Sequence, residues 1–186
     1  MYCQVIWGFS PDPTDTFEKM KAYYPDSKYV SRLKSYFDGM TDEEIRVITI
    51  KAKIGNIIGK DGRFIAGDKG IVLDTKTGLM WAAKDNGRDI NWENAKRYCE
   101  NYQGGEYTDW RMPKLGELKN LYDPSKRNRH GYYITRLIDI TSYAPWTSET
   151  SGSSIVVGYF GDGGPVGARG PLRYQTGRAL PVRDGR

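Results

Sequence analysis

Residues 63–81 read RFIAGDKGIVLDTKTGLMW, and this stretch decides the predicted fold class. Apolar runs at residues 64–65 and 71–73 flank a Gly-containing segment, a pattern that predicts two strands joined by a hairpin turn. A second turn is predicted at residues 74–78, and the apolar residues 79–82 predict another short strand. Short strands separated by tight turns favour an α+β or β-rich domain over a helical bundle.

Two helices are predicted after these strands. Asn91 can cap a helix that continues to about Tyr102, because the apolar side chains of this segment recur at helical spacing. A pair of glycines then ends the helix, and leucines at positions 115, 118 and 121 predict a second one. The apolar face of the first helix would carry Trp92, Ala95, Tyr98, Cys99 and Tyr102.

The remainder of the C-terminal half predicts a long loop and further strands. Residues 123–145 are predicted to be loop with a short apolar island at residues 137–138, since Pro, Ser and Asn occur together there. Residues 146–148 and 155–160 predict strands, and residues 178–182 predict a closing strand.

The first 60 residues predict mixed helix and strand. Thr41 and Glu44 have the spacing of a capping box, which favours a helix that starts there. Residues 46–54 also alternate partly like a strand, so both structures stay open at this point. We predict two parts in the chain: an N-terminal extension or docking segment at residues 1–60 and a folded domain at residues 61–186.

The composition excludes several classes of protein. The chain has 186 residues, with 38% hydrophobic and 27% charged side chains, which is enough for a folded core. No stretch approaches the roughly 20 apolar residues that a membrane-spanning helix needs, so we expect no membrane insertion. Two cysteines and one histidine are too few for a Cys-rich zinc site or a multi-His centre, and we expect neither a metal nor a cofactor.

The net charge of +5 allows two interpretations. The excess can simply keep the protein in solution, or it can attract a polyanion. Basic residues are spread along the chain without a basic tail, so nucleic acid is not the favoured partner. We predict six basic side chains, from the long loop and from a Gly-rich stretch, as ligand-binding residues: Lys126, Arg127, Arg129, His130, Arg169 and Arg173.

An ordered series of motifs extends over residues 61–186 and resembles a known family. The motifs are Arg63-Phe-Ile, Asp74-Thr-Lys-Thr-Gly-Leu-Met-Trp81, Trp92…Ala95…Tyr98-Cys99, Gly105…Tyr107…Asp109-Trp-Arg-Met-Pro113, Glu117-Leu118, Trp146-Thr-Ser-Glu149 and Arg178…Val182-Arg183. In this order they resemble the Lcl C-terminal domain family, the domain named from Legionella collagen-like adhesins.

The resemblance implies an α+β, C-type-lectin-like fold in which two helices pack on small twisted antiparallel sheets, here with an N-terminal extension. It also implies an extracellular or cell-surface protein, although the first residues do not form a secretory signal as written. The structural core of such a domain would rest on four indoles, since each can bury about 150–250 Å2. They are Trp81, Trp92, Trp110 and Trp146.

Two positions depart from the family pattern. Many members have a second cysteine near the closing strand, apparently paired with the helix cysteine, and residues 178–183 contain none. That disulfide is absent here, which puts an oxidising habitat in doubt, and whether Cys3 and Cys99 pair stays open. Lys114 stands where the family has a small polar residue, which predicts a weaker cap for the second helix.

No catalytic constellation is recognisable, and we expect a protein that is not an enzyme. The calcium-binding triplets of true C-type lectins, Glu-Pro-Asn or Gln-Pro-Asp followed by Trp-Asn-Asp, do not occur. Asp162 alone is too little for calcium, which needs six to eight oxygen ligands. Cys99 on an apolar helix face and His130 in a loop are a poor basis for a nucleophile and its base.

Two functions are compatible with these observations. The first is a non-enzymatic binding or adhesion module that presents a basic, aromatic loop surface to an acidic partner. We expect this partner to be a glycan, because some members of the resembled family are adhesins that bind sulfated polysaccharide as oligomers. The alternative is a structural or assembly subunit of a filament, phage or cell surface that docks through residues 1–60. We expect a homo-oligomer.

Overall fold

The computed structural model describes residues 38–152, 154–162, 168–171 and 177–185. Within these ranges the chain forms three α-helices and two small antiparallel sheets, which confirms the predicted α+β class. None of the helices described is long and apolar enough to cross a membrane. The predicted segments before residue 38 and the residue Cys3 lie outside the described residues.

The first helix, α1, comprises Asp42–Ile54 and starts at a capping box. The Thr41 hydroxyl accepts a hydrogen bond from the Glu44 N–H at 3.3 Å, and the Glu44 carboxylate accepts one from the Thr41 N–H at 2.8 Å. These two bonds satisfy backbone donors that the first turn of a helix leaves free. They favour the helix over the strand that the alternation of residues 46–54 also allowed.

Eight strands form the two sheets. Their bounds are β1 Ile57–Asp61, β2 Phe64–Gly67, β3 Ile71–Asp74, β4 Leu79–Ala82, β5 Trp146–Ser151, β6 Ser154–Val157, β7 Ala168–Pro171 and β8 Val182–Asp184. The larger sheet has the order β1-β2-β3-β4-β8, and the smaller sheet has the order β5-β6-β7. The hairpin predicted from residues 63–81 is confirmed, with Phe64 opposite Asp74 and Gly67 opposite Ile71.

Two strands differ in extent from their sequence predictions. The predicted closing strand at residues 178–182 is observed at Val182–Asp184, because Arg178 forms an isolated bridge with Pro145 instead of joining the sheet. The predicted strand at residues 155–160 ends at Val157. Beyond it the backbone of Gly158 donates to Pro145, so the hydrogen bonds of this segment go to the loop.

Strands β2, β3 and β4 of the larger sheet are buried on both faces. Side chains that alternate along its strands divide between the faces, as the pleat of a strand requires. On one face Phe64, Val72 and Trp81 pack with two leucines, at positions 118 and 121, and with the loop at residues 134–140. On the other face Ile65, Ile71 and Met80 pack with α1 and Trp110.

Helix α1 therefore packs against this sheet. Ile50 and Ile54 of α1 are buried there, and β1 pairs with β2. Gly67 allows the close approach, because a Cβ at this position would lie 1.9 Å from the Ile54 carbonyl oxygen. The predicted boundary between the N-terminal extension and the domain, between residues 60 and 61, falls inside β1.

The two predicted helices downstream are α2, Trp92–Glu100, and α3, Leu115–Leu121. Asn91 caps α2 by accepting a hydrogen bond from the Asn94 N–H at 2.9 Å. At the start of α3 two carboxylates replace the missing small polar cap. Glu117 accepts from the Lys114 N–H at 2.8 Å, and Glu149 accepts from the Leu115 N–H at 3.1 Å.

Of the four tryptophans predicted to form the core, three are buried and the fourth is half-buried. Trp81, Trp110 and Trp146 have at most 3% of their surface exposed. The indole N–H of Trp110 donates to the Gly104 carbonyl, and that of Trp146 to the Ile90 carbonyl. The indole of half-buried Trp92 donates to the backbone of β5.

Candidate functional site

The candidate site surrounds the basic loop, which we define as residues 126–130. Lys126 reaches back to the end of β1, where its ammonium contacts the Asp61 carboxylate and donates to the Asp61 carbonyl at 3.2 Å. The Thr135 hydroxyl donates to the other carboxylate oxygen of Asp61 at 2.6 Å. Asp61 therefore contacts the long loop at two positions, residues 126 and 135.

The pKa of Asp61 reports on the same contacts. Burial by itself raises the pKa of this carboxyl, but the hydrogen bonds from Lys126 and Thr135 outweigh burial and lower it below the usual 3.8. The carboxylate is consequently charged at neutral pH and balances the charge of Lys126.

Arg129 and His130 share a second carboxylate. Arg129 Nε lies 2.9 Å from Asp139 Oδ1, and His130 Nε2 lies 3.1 Å from the same oxygen. Arg129 is mostly exposed, with 70% of its side chain accessible, whereas Asp139 is largely covered. Asp139 thus offsets much of the positive charge at this end of the basic loop.

Arg127 differs from these neighbours, since no carboxylate within the described ranges pairs with it directly. Its guanidinium carbon lies 3.6 Å from the centroid of the Tyr133 ring, and it donates to the Tyr133 hydroxyl at 2.7 Å. That hydroxyl in turn contacts the Asp162 carboxylate. The result is an exposed arginine that lies over an aromatic ring and is held there by a hydrogen bond.

Tyrosines extend this surface on both sides of the Phe160 backbone. The Tyr133 N–H donates to the Phe160 carbonyl at 3.0 Å, and the Phe160 N–H donates to the Tyr143 carbonyl at 2.9 Å. Tyr143 is 49% exposed. Ring contacts join Tyr122 to Tyr133 and join Tyr143 to Tyr132 and Tyr159. These tyrosines are not among the residues predicted from the sequence, where the adjacent pair at 132–133 inside a polar loop is the available signal.

A pocket of about 260 Å3 opens beside Lys126. Phe64 is one of its lining residues, with the Arg63 guanidinium 4.8 Å and the Lys126 ammonium 6.0 Å from the ring centroid. Both cations are engaged, because Arg63 Nε lies 3.0 Å from the buried Asp74 carboxylate and Lys126 pairs with Asp61. The pocket is lined by Gly62, Arg63, Phe64, Asn120, Leu121, Tyr122, Asp123 and Lys126.

The two arginines predicted from the Gly-rich stretch stay predictions. Arg169 belongs to β7, where its backbone pairs opposite Val156 of β6. Arg173 lies outside the described residues. Among the described side chains, the structure brings together Lys126, Arg127, Arg129 and His130.

A metal-binding cluster is not found in the described part of the chain. No group of three or more His, Cys, Asp and Glu residues there lies close enough to hold a metal ion. Cys99 is a free, buried thiol, and burial raises its pKa to about 12. A thiol with this pKa stays protonated at neutral pH and is a poor nucleophile.

The fold and the site define an α+β domain whose long loop carries a basic and aromatic surface. The model of the Lcl C-terminal domain family matches residues 70–183, more than half of the chain. The chain belongs to this family, and the resemblance seen in its motifs is confirmed. No curated protein and no solved structure matches the chain.

Proposed function

We propose that this protein is a non-enzymatic binding or adhesion module, with a C-type-lectin-like fold, whose basic loop contacts an acidic glycan. Its membership in the Lcl C-terminal domain family supports an adhesin-related role. The observation that carries the proposal is the exposed Arg127 guanidinium stacked on Tyr133.

The chemistry of Arg127 suits a sulfate or carboxylate group. A guanidinium presents several donors in a plane and can bind such an anion through two hydrogen bonds. Stacking on Tyr133 reduces the side-chain entropy that an exposed arginine would otherwise lose on binding. The paired cations Lys126 and Arg129 shape the loop, and their residual field adds to the attraction because neither is fully buried.

Exposed Tyr143 adds an apolar surface to this site. Sugar rings have faces of C–H groups that pack on aromatic rings, while their charged substituents seek donors. An acidic glycan chain offers both features along its length. An uncharged partner would form no ion pair with Arg127, and a purely ionic partner would not pack on the Tyr143 ring.

Heparin affinity chromatography tests this function, with heparin as the acidic probe. We expect the full chain to elute above physiological salt and Arg127→Gln to elute at lower salt, since exposed charge contacts are screened by ions. Arg97→Gln is the matched control, because it removes an exposed arginine from α2, away from the basic loop. Elution of the unchanged protein below physiological salt, or equal losses in both variants, would overturn the proposal.

A second function, assembly through the N-terminal part, is favoured by one observation. Ile58 of the edge strand β1 is 68% exposed, an unusual position for a large apolar side chain. An apolar groove on α1, lined in part by Met40, Val47 and Ile48, lies in the same part of the chain. In this proposal the chain forms a homo-oligomer through β1.

Light scattering after size exclusion tests assembly. Deleting residues 1–60 would disturb the fold as well as any assembly, because α1 and β1 belong to the larger sheet and its core. The variant Ile58→Asn changes the exposed side chain and leaves the pairing of β1 with β2 intact. We expect an oligomer for the unchanged chain and a smaller species for Ile58→Asn. A monomer at high concentration for the unchanged chain excludes this function.

A further inference from the structure

The pocket beside Lys126 has an electrostatic character opposite to that of Arg127. Its two cations, Arg63 and Lys126, are each paired with a carboxylate, Asp74 and Asp61. Asp123 adds a third carboxylate at the pocket wall, and its pKa is lowered by the hydrogen bond from Ser125. Because Asp74 and Asp61, which lie outside the pocket lining, balance the charges of Arg63 and Lys126, the charge of Asp123 remains uncompensated, and an anionic ligand is not favoured here.

Three polar groups of the pocket wall have no partner among the described residues. They are the side-chain amide of Asn120, the hydroxyl of Tyr122 and one carboxylate oxygen of Asp123. Asp123 uses its other oxygen, Oδ1, to accept from the Ser125 N–H at 3.0 Å and the Ser125 hydroxyl at 2.6 Å. The free set contains both donors and acceptors, which is what vicinal hydroxyl groups require.

The remaining wall of the pocket is apolar. Phe64 and Leu121 are almost fully buried and form its base. The Tyr122 ring is held at a tilted angle by Tyr133, with 5.6 Å between the ring centroids. A cyclic ligand with one C–H face and several hydroxyl groups can contact the rings and the polar groups together.

The volume sets the size of that ligand. At about 260 Å3 the pocket is smaller than the roughly 300 Å3 at which pockets for drug-sized ligands begin. It admits one small ring and excludes a longer glycan from its interior.

We propose that this pocket binds a single neutral pyranose ring, in which Asp123 accepts from sugar hydroxyls, Asn120 donates and accepts, and Tyr122 packs against the C–H face. This pocket differs from the surface formed by Arg127 and Tyr133, which we call the Arg127 surface, in its charge and in the residues that form it. The inference deepens the proposed glycan-binding function. It rests on that function only for the class of ligand, a carbohydrate. A glycan with a neutral terminal residue and acidic residues behind it would engage both sites.

Amide NMR of the full chain, titrated with the methyl glycosides of glucose, galactose and mannose, tests this inference. We expect saturable shifts at Gly62, Asn120, Tyr122 and Asp123 for at least one glycoside, with millimolar affinity for so small a ligand. Asn120→Ala should weaken that affinity several-fold. This change keeps the fold, because the structure uses Asn120 through its backbone carbonyl, which accepts from Arg63.

Lys119→Ala is the matched control, since Lys119 is an exposed neighbour on α3 outside the pocket wall. Sodium glucuronate serves as the anionic probe. Absence of saturable shifts, equal affinity in Asn120→Ala and the unchanged chain, or tighter binding of glucuronate than of every neutral glycoside would each overturn the inference. Heparin retention that depends on Arg127 would persist in these cases, so the two proposals fail separately.

Discussion

Lys126 and Asp61 lie 65 residues apart in the sequence and form an ion pair at the end of strand β1. Asp61 is the last residue of the strand and stands opposite Phe64 in the β1–β2 hairpin. The ion pair therefore ties the start of the basic loop to the larger sheet. Arg127 follows Lys126 in the chain and Lys126 lines the pocket, so the ion pair adjoins both candidate binding surfaces.

Replacing Asp61 tests that connection. We expect Asp61→Asn to lower the free energy of unfolding at neutral pH by about 1–3 kcal/mol, because Lys126 and Thr135 lose a charged acceptor. Since the pKa of Asp61 is lowered by folding, its contribution is present above the unfolded value of 3.8 and is lost as pH falls through the folded value.

Urea unfolding at about pH 7 and at about pH 3 measures this pH dependence. We expect the difference between Asp61→Asn and the unchanged chain to shrink in acid, where the carboxyl is increasingly protonated. A difference of the same size at both values would show that the charge of Asp61 is unimportant.

Gly67 provides a test of the packing between α1 and the larger sheet. A Cβ at residue 67 would lie 1.9 Å from the backbone oxygen of Ile54. Since backbone cannot move aside as a flexible side chain can, we expect Gly67→Ala to cost about 1–3 kcal/mol in urea unfolding.

Gly116 in α3 is the matched control for this substitution. No atom lies within 4 Å of a Cβ added there. Alanine is the better helix former, so Gly116→Ala should stabilise the protein by about 0.5–1 kcal/mol. If Gly67→Ala were as harmless as Gly116→Ala, the approach of α1 to the sheet would be contradicted.

A comparison of Trp81 with Trp146 separates the effect of burial on stability from the effect of hydrogen bonding. Both are almost fully buried, but only the indole of Trp146 donates, to Ile90 O at 2.7 Å. The Trp81 indole N–H is buried without a hydrogen-bond partner in the described structure. We expect Trp146→Phe to cost about 1 kcal/mol more than Trp81→Phe, since it alone removes a hydrogen bond.

Circular dichroism during urea unfolding is the suitable measurement for the tryptophan pair, because indole fluorescence would itself change. A larger cost for Trp81→Phe than for Trp146→Phe would disagree with the structure. Each variant also loses apolar volume, and that loss is matched between the two.

Cys99 should be chemically inert in the folded protein. Burial keeps reagents away from the side chain and raises its pKa to about 12, so little reactive thiolate forms. In the variant Cys3→Ser we expect negligible reaction with a thiol reagent near pH 8 under native conditions and complete reaction after unfolding in guanidinium chloride. Rapid native labelling of Cys99 would contradict its placement in the core.

The local elements of the domain could be predicted because their signals are local. The hairpin of β2 and β3 follows from apolar runs around a Gly-containing turn, and α2 follows from Asn91 and the helical spacing behind it. For α1 the capping box at Thr41 was the stronger of two competing signals. The exact ends of β6 and β8 were not predictable, since loop backbone competes for their hydrogen bonds.

The loop at residues 123–145 shows where local signals end. The sequence predicts a loop with a short apolar island at residues 137–138, yet Ile134 and Ile140, outside that island, are buried with Ile138 against the larger sheet. Their spacing follows neither a helix nor a strand, because irregular backbone brings them inward. Only the surrounding sheet and α3 define the core that they fill.

The sequence by itself determined the family, the α+β class and the positions of most elements, because capping, turn formation and apolar periodicity act between near neighbours in the chain. Tertiary structure alone decided which cations remain available to a partner. Asp61 engages Lys126 and Asp139 engages Arg129, while Tyr133 presents Arg127. A carboxylate acts on whatever charge the fold brings within a few ångströms, and no regular spacing in the sequence records that distance.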